Sequence, residues 1–302
     1  MKQELNNYEV GDPLPESKDV FQLIRGKSSG MSKAQLKIAR FLEENLETAS
    51  FLTVANIAKQ VGVGEATVVR FATYLGFSGF SEMQQSLQAQ IRKRLTTVDR
   101  LHLAEDTYSH KKQLAIEILT DDITNIQQTI QALDLKSFDQ AVHWINEAKS
   151  ITIVALRSSH SLGYFLEFYL QLLLKNTHLI ADSDTMFEKL ATLGPSDLVI
   201  GFSFSRYTAR TIQAIEYVQK RGVRTLGITD HHASPLARNS DIHLVASSKL
   251  PSFLDSFVAP LSLINALLTA VAGLNKMDIS KHLTDLEQLW EQQGVYNSSD
   301  LK

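Results

Sequence analysis

The stretch TVANIAKQVGVGEATVVRFATYLGFSGF, residues 53–80, reads as two short helices around a tight turn. Thr53 carries a side-chain oxygen suited to an N-cap, and Val54, Ile57, Ala58 and Val61 follow at helical spacing. Gly62 stands where the chain must reverse, a place that often needs the positive φ glycine tolerates. The spacing of Val68, Phe71 and Leu75 predicts a second helix over 65–75, with Gly76 placed to end it. Ala58 is small enough to let the second helix cross close to the first. Two helices joined in this way are the sequence form of a helix-turn-helix.

The second helix has a polar N-terminal tip of Glu65, Thr67 and Arg70, with Ala66 between them. In a helix-turn-helix this end enters the major groove of DNA. Arg can fork onto guanine, Glu can accept from cytosine, and Thr or Ala can touch a thymine methyl. A plain helical hairpin inside another kind of domain has the same spacing, so the pattern alone leaves both readings open.

Residues 64–83, GEATVVRFATYLGFSGFSEM, resemble the helix-turn-helix of the RpiR family of bacterial transcription regulators. The likeness rests on TVVRF followed by LGF and GF. That family usually has Ser before the Glu; here Gly64 stands there, and Gly is an acceptable N-cap. The resemblance implies a sequence-specific DNA binder. Glu65, Ala66, Thr67 and Arg70 would read bases, while Thr53 and Ser78 would hold phosphates.

The chain has 302 residues, enough for two domains, and is 44% apolar, ample for a core. It has no cysteine, which excludes disulfides and thiolate metal sites. The first 20 residues are polar and acidic with no apolar segment, so a signal peptide is not expected. The apolar run 257–274 is broken by Pro260, Ser262, Asn265 and Gly273 and reads as a buried helix rather than a membrane span. A cytoplasmic protein with no membrane partner is expected. The net charge is −3, but residues 31–95 carry eight Lys or Arg against five Asp or Glu, leaving the remainder acidic. A mildly basic module on an acidic body suits a DNA binder whose other half has a second task.

Around this stretch, residues 1–19 read as a loose arm and 21–25 as a short helix. Ser32 caps a helix over 33–45 with Leu36, Ile38, Ala39 and Leu42 on its apolar side. A helix from 79 or 81 to 95 ends in Arg92, Lys93 and Arg94, suited to the negative end of the helix dipole or to DNA phosphates. Residues 96–112 are a polar linker. A helix over 114–133, with Leu114, Ile118, Ile126 and Ile130 as apolar positions, is placed to cross between domains, and another spans 137–148.

From residue 151 the pattern changes. Short apolar β-branched runs at 151–156, 177–180, 197–204, 225–229 and 241–245 alternate with helices at 162–174, 187–193, 209–221 and 253–272. This alternation predicts a parallel sheet covered on both faces. A last helix spans 278–290. Three strand ends carry hydroxyl clusters: ALRSSHS at 155–161, FSFSRYTART at 202–211 and ITDHHASPLA at 228–237. Ligands bind beyond the carboxyl ends of such strands, and helix N-termini there favour anions. Each Ser or Thr taken alone reads equally as an N-cap.

Residues 130–272 resemble the SIS domain, the sugar isomerase fold found behind the helix-turn-helix in RpiR-type regulators. The likeness rests on Ser203, Ser205 and Thr208 in an S.S..T loop, and on ITDHHASPLARNSD at 228–241. It implies that Ser158, Ser159, Ser203, Ser205, Thr208 and Ser234 bind a phosphosugar or a related anionic carbohydrate. Two departures stand out: Arg157 and Arg206 occupy positions where the family usually has Gly. Either they add charge that forks onto a phosphate or carboxylate, or they point outward from reshaped loops.

Isomerisation of sugar phosphates needs a placed base. None of the three loops contains Glu, and Asp230, His231, His232 and the later Asp255 are the only candidates. His231 and His232 are adjacent and His160 is alone, so no metal constellation is expected; nor is a cofactor or a catalytic residue. The reading is a two-domain regulator: an all-α helix-turn-helix domain at 20–95, a linker and connecting helix at 96–129, an α/β SIS domain with a doubly wound parallel sheet at 130–272, and a helical tail at 273–302. Its expected partners are a palindromic double-stranded operator, a small anionic carbohydrate effector and further copies of itself in a homodimer or homotetramer. The helix at 253–272 is the expected subunit contact. The alternatives are a sugar-phosphate isomerase with an accessory helical domain, and a DNA-binding adaptor with a vestigial pocket.

Overall fold

The computed structural model describes residues 20–45, 49–50, 52–92, 96–101, 113–180, 182–274 and 276–296. The chain forms two compact units, divided between Ala104 and Glu105.

The first unit holds α1 (Val20–Lys27), α2 (Lys33–Glu44), α3 (Val54–Val61), α4 (Glu65–Leu75) and α5 (Phe80–Arg92). Ser32 and Gln35 close a reciprocal capping box at the start of α2. Thr53 Oγ1 accepts from the Asn56 amide at 3.3 Å and starts α3. Gly62 at φ 73° ends α3, and Gly76 at φ 100° ends α4. Val20, Ile38, Leu42, Ile57, Val68, Phe71, Leu75 and Met83 form one core. Lys27 clasps the end of α4: its Nζ donates to Tyr74 O at 2.8 Å and Leu75 O at 3.3 Å, a cation on the carbonyl end of the helix. Leu36, expected inward, faces solvent one position off the buried stripe of Ile38, Ala39 and Leu42. The expected arm at 1–19, Lys93 and Arg94 lie outside the described residues, as does the side chain of Arg92. The expected linker begins instead with a helical turn at 97–101, opened by Thr96 and Asp99, which bond each other's amides.

The second unit opens with α6 (Leu114–Ala132) and α7 (Leu135–Glu147). β1 (Ile151–Ala155), α8 (His160–Leu174), β2 (Thr177–Ile180), α9 (Met186–Ala191), β3 (Leu198–Phe202), α10 (Ala209–Lys220), β4 (Arg224–Thr229), α11 (Pro235–Arg238) and β5 (Ile242–Val245) follow. α12 (Val258–Leu274) and α13 (Lys276–Gln293) complete it. The five strands pair in parallel in the order β2-β1-β3-β4-β5. Ile153, Ile200 and Ile228 face α7, α8 and α12, while their neighbours Val154 and Val199 face α9, α10 and α11. Alternate residues thus feed two cores, which is why every residue of β1 and β3 is buried. α8 lies so close to β1 that a Cβ at Gly163 would meet Ala155 Cβ at 2.5 Å.

One expected helix is shorter than its apolar pattern. The 253–272 helix starts at Val258, because Ser256 Oγ accepts from the Val258 amide and Phe253 and Leu254 belong to the bend before it. Its residues Ala259, Leu263, Ile264, Leu267, Leu268 and Val271 are buried in the core of the second unit, while Val258, Asn265, Ala266 and Thr269 are exposed. Among the described residues, no single helix is long and apolar enough to cross a membrane.

Candidate functional site

On the helix-turn-helix, Glu65, Ala66 and Arg70 are exposed on α4 and Thr67 is half-buried. Val69, which periodicity did not single out, is 40% exposed on the same helix beside Arg70. Thr53 and Ser78 are exposed at the starts of α3 and α5. They are drawn together by Gln84, whose Nε2 donates to Leu52 O at 2.9 Å. The Ser78 amide donates to Glu82 Oε2 at 2.5 Å, so a phosphate there would meet the Ser78 hydroxyl rather than its N–H.

In the second unit the strand order reverses between β1 and β3, since the chain leaves β1 for β2 on one side and returns to β3 on the other. The crevice beyond such a reversal is where open parallel sheets bind ligands. The turn Arg157–Ser159 leaves β1 and leads into α8, and the turn 203–208 leaves β3 and leads into α10. Two helix N-termini therefore face this crevice.

The hydroxyls divide by what they do. Ser203 is buried and braces its turn, its Oγ accepting the Thr208 amide at 3.1 Å. Thr229 Oγ1 donates to Ser203 O at 2.7 Å and lies 3.0 Å from Ser234 Oγ. Ser234 is fully buried and accepts the Ala237 amide at 3.0 Å as the N-cap of α11. Its expected role at the ligand is therefore corrected to a structural one: an oxygen closed off in this way has no open side. Ser159 and Thr208 precede α8 and α10, yet neither side chain caps its helix. Ser158 is exposed and Ser205 half-buried at the same two strand ends. Here the plain N-cap reading fails; Thr208 is half-buried at its strand end and Ser159 is buried.

Arg157 has φ 58° and Arg206 has φ 63°. Both stand where the SIS pattern has glycine, and both keep a backbone that glycine adopts freely and other residues at a cost of about 1–2 kcal/mol. Both residues are exposed at the rim of the crevice, one on each strand end.

Deeper in, Tyr207 OH donates to Asp230 Oδ1 at 2.9 Å. Burial pushes the Asp230 carboxyl above its ordinary range, against the Tyr207 hydrogen bond, and Asp255 nearby pushes it the same way as burial. Burial and Asp230 raise the Tyr207 hydroxyl far above its ordinary value. The sequence offers Asp230 as a candidate base; its pairing with Tyr207 is visible only in the structure. His232 Nδ1 lies 3.0 Å from His243 Nε2, and His231 Nδ1 accepts the Ala233 amide. Among the described residues no group of three or more His, Asp or Glu could hold a metal ion.

The profile of the helix-turn-helix domain of the rpiR family matches residues 18–94, and that of the SIS domain matches 144–270. An HTH-type transcriptional regulator of Caldanaerobacter subterraneus is 26% identical over 285 residues, covering 92% of this chain and 99% of the relative. The sugar isomerase domain of the RpiR transcription factor from Sphaerobacter thermophilus is 30% identical. Its structure covers 58% of this chain and 99% of its own, with a TM-score of 0.57. The chain belongs to the RpiR family of transcription regulators. Vibrio vulnificus NanR, solved in complex with ManNAc-6P, shares the fold over 91% of this chain and 98% of its own at 20% identity, with a TM-score of 0.57. In this RpiR-family chain the helix-turn-helix and the SIS sheet follow one another in the order expected from sequence.

Proposed function

We propose that this RpiR-family regulator binds a two-fold operator through α4 as a homodimer or a dimer of dimers, and that a phosphorylated sugar or related sugar acid controls it from the crevice at β1 and β3. One observation carries the reading: the turns Arg157–Ser159 and 203–208, which lead into α8 and α10 from the two strands flanking the reversal, lack a side-chain cap at Ser159 and Thr208, and each holds an arginine in a glycine conformation. Amide groups, hydroxyls and guanidinium groups together suit an anion with sugar hydroxyls beside it. The sugar phosphate bound to the Vibrio relative fits this chemistry. Glu65, Ala66, Thr67 and Arg70 read bases, with Val69 beside them, and Thr53 and Ser78 hold phosphates. A regulator of this kind works on the chromosome, in the cytoplasm.

The subunit contact moves from α12 to α6. Ile116, Leu119, Ile123 and Ile130 are all more than half exposed, at a spacing that continues through Ile126 as an alternation of three and four. Such a stripe is self-complementary and suits a second copy of the same helix across a two-fold axis. Two-fold operators require such a pair.

Catalysis is not part of this reading. Asp230 is a half-buried carboxyl near the crevice, and its Oδ1 already accepts from Tyr207. The isomerase alternative rests on Asp230, His231, His232 and Asp255 as candidate bases. The deciding experiment is thermal unfolding of the full chain against sugar phosphates, sugar acids and inositols, including ManNAc-6P. A compound that binds only the native state raises the midpoint as its concentration passes Kd. Any hit is then tested for turnover and for its effect on operator binding. A shift with altered DNA affinity and no turnover is expected. Turnover without DNA binding would replace the reading by the isomerase, and DNA binding that no compound alters would replace it by the adaptor.

A further inference from the structure

α6 is built the wrong way round for a helix that packs on a core. Its fully buried residues are polar, Asn125 and Thr129, while Ile116, Leu119, Ile123 and Ile130 face outward. A surface helix of a globular domain normally shows the reverse. The inward polar residues hold one segment of chain, the stretch 246–257 between β5 and α12.

The grip is directional and nearly complete. Asn125 Nδ2 donates to Lys249 O at 2.7 Å, and Asn125 Oδ1 accepts from Ser247 Oγ at 2.7 Å and the Lys249 amide at 3.1 Å. Thr129 Oγ1 accepts the Ser247 amide at 2.9 Å and donates to Asn125 O at 2.8 Å. One turn earlier, Ser256 Oγ donates to Asp122 Oδ1 at 2.5 Å. The segment closes on itself through the Ser256 amide and Ser248 O, at 3.1 Å.

Its other side faces the strand-end crevice. The Ala246 amide donates to Thr229 O at 2.8 Å, next to Asp230. The Phe257 ring lies 5.3 Å from that of Phe204, which sits inside the turn 203–208. Asp255 is close enough to Asp230 and Tyr207 for its charge to act on both. A shift of the 203–208 turn therefore presses through Phe257 on a segment that is bonded to α6 at Ser247, Lys249 and Ser256. Apolar packing could absorb such a shift by sliding; a set of buried and part-buried hydrogen bonds resists it, because each bond fixes a position along the helix. In sequence α6 follows closely on the boundary between the two units.

We infer that the 246–257 segment is a strap that couples the strand-end loops to α6, with Asn125 as its positioning residue. Its use as a signalling element rests on the ligand-controlled reading above; the coupling itself does not. Occupancy of the crevice would thereby bias the helix that carries the proposed subunit contact, and by linkage the helix would bias affinity in the crevice.

Hydrogen exchange on the full-length protein tests this without a ligand. Four proteins are compared: the wild type, Asn125→Ala, Phe204→Leu and the double variant. Phe204 has no described bond to α6, and Asn125 has none to the 203–208 turn. The strap predicts that Phe204→Leu speeds exchange in 114–132 several-fold, that Asn125→Ala does the same in 203–208, and that the double variant adds little to the larger single effect. Exchange in α9, on the opposite face of the sheet, stays as in the wild type. Effects confined to each variant's own side would overturn the coupling, and so would an equal acceleration in α9, which means general loosening. A failed effector screen with these exchange changes present would count against the ligand reading and leave the strap standing.

Discussion

At the residue scale, the informative positions are the ones that keep another residue's geometry. Arg157 and Arg206 hold positive φ where the family pattern has glycine. Replacing either by Gly relieves backbone strain of about 1–2 kcal/mol, offset in part by the greater freedom of glycine in the unfolded chain. Thermal unfolding of Arg157→Gly and Arg206→Gly should therefore show a melting temperature equal to or above the wild type. Affinity for an anionic effector should drop by roughly tenfold or more, the worth of a hydrogen bond to a charged group. Asp230 follows from its environment in a similar way. Its carboxyl is pushed upward by burial, so the native state releases its proton only at higher pH than the unfolded chain, and this group's contribution to stability is lost as pH rises from about 4 through the folded value. Asp230→Asn should consequently raise the melting temperature at neutral pH and have little effect near pH 4. On DNA, Arg70→Ala should weaken operator binding by about 1–3 kcal/mol and leave effector binding intact, read by fluorescence anisotropy and by the thermal shift respectively.

At the element scale, the helix-turn-helix was legible in full because its determinants are local. Thr53, Gly62 and Gly76 each fix a helix end by chemistry confined to a few residues. Gly76 at φ 100° makes this testable: Gly76→Ala forces a Cβ into a disfavoured conformation and should cost the first unit about 1 kcal/mol or more, seen as a lower unfolding midpoint for its helices. The α/β alternation was equally legible, since strands buried on both faces read as short apolar runs. Three features were not. The start of α12 was hidden because Phe253 and Leu254 extend its apolar pattern, while the cap that stops it comes from Ser256, on the far side of both. The two faces of α6 were hidden because periodicity finds an apolar stripe without saying which way it points. In α6 the inward direction is set by partners more than a hundred residues away, at Ser247, Lys249 and Ser256. The pairing of Tyr207 with Asp230 was hidden for the same reason: it spans two strand ends that only the sheet order brings together.

At the scale of the whole molecule, the two units carry different chemistry and should respond differently to their surroundings. The second unit has a built-in sensitivity to acid. His243 is held below its ordinary value by burial first and by His232 second, with Asp134 pulling weakly the other way. Between that folded value and about pH 6.5, the unfolded chain binds a proton that the native state refuses, so stability falls as pH drops through this window. Unfolding of the SIS unit should accordingly lose midpoint between about pH 7 and the folded value, and His243→Gln should flatten that slope; the first unit supplies the internal control. The glycine-like backbone at Arg157 and Arg206 also bears on how such a regulator changes over generations. A glycine codon and an arginine codon can differ by a single base, and at these two positions the polypeptide path suits either residue. The charge at the mouth of the crevice can thus be added or removed one unit at a time, with the sheet, the turns and the operator-reading helix left as they are. A lineage holding this scaffold can try new effectors by point replacement, without first inventing a new loop.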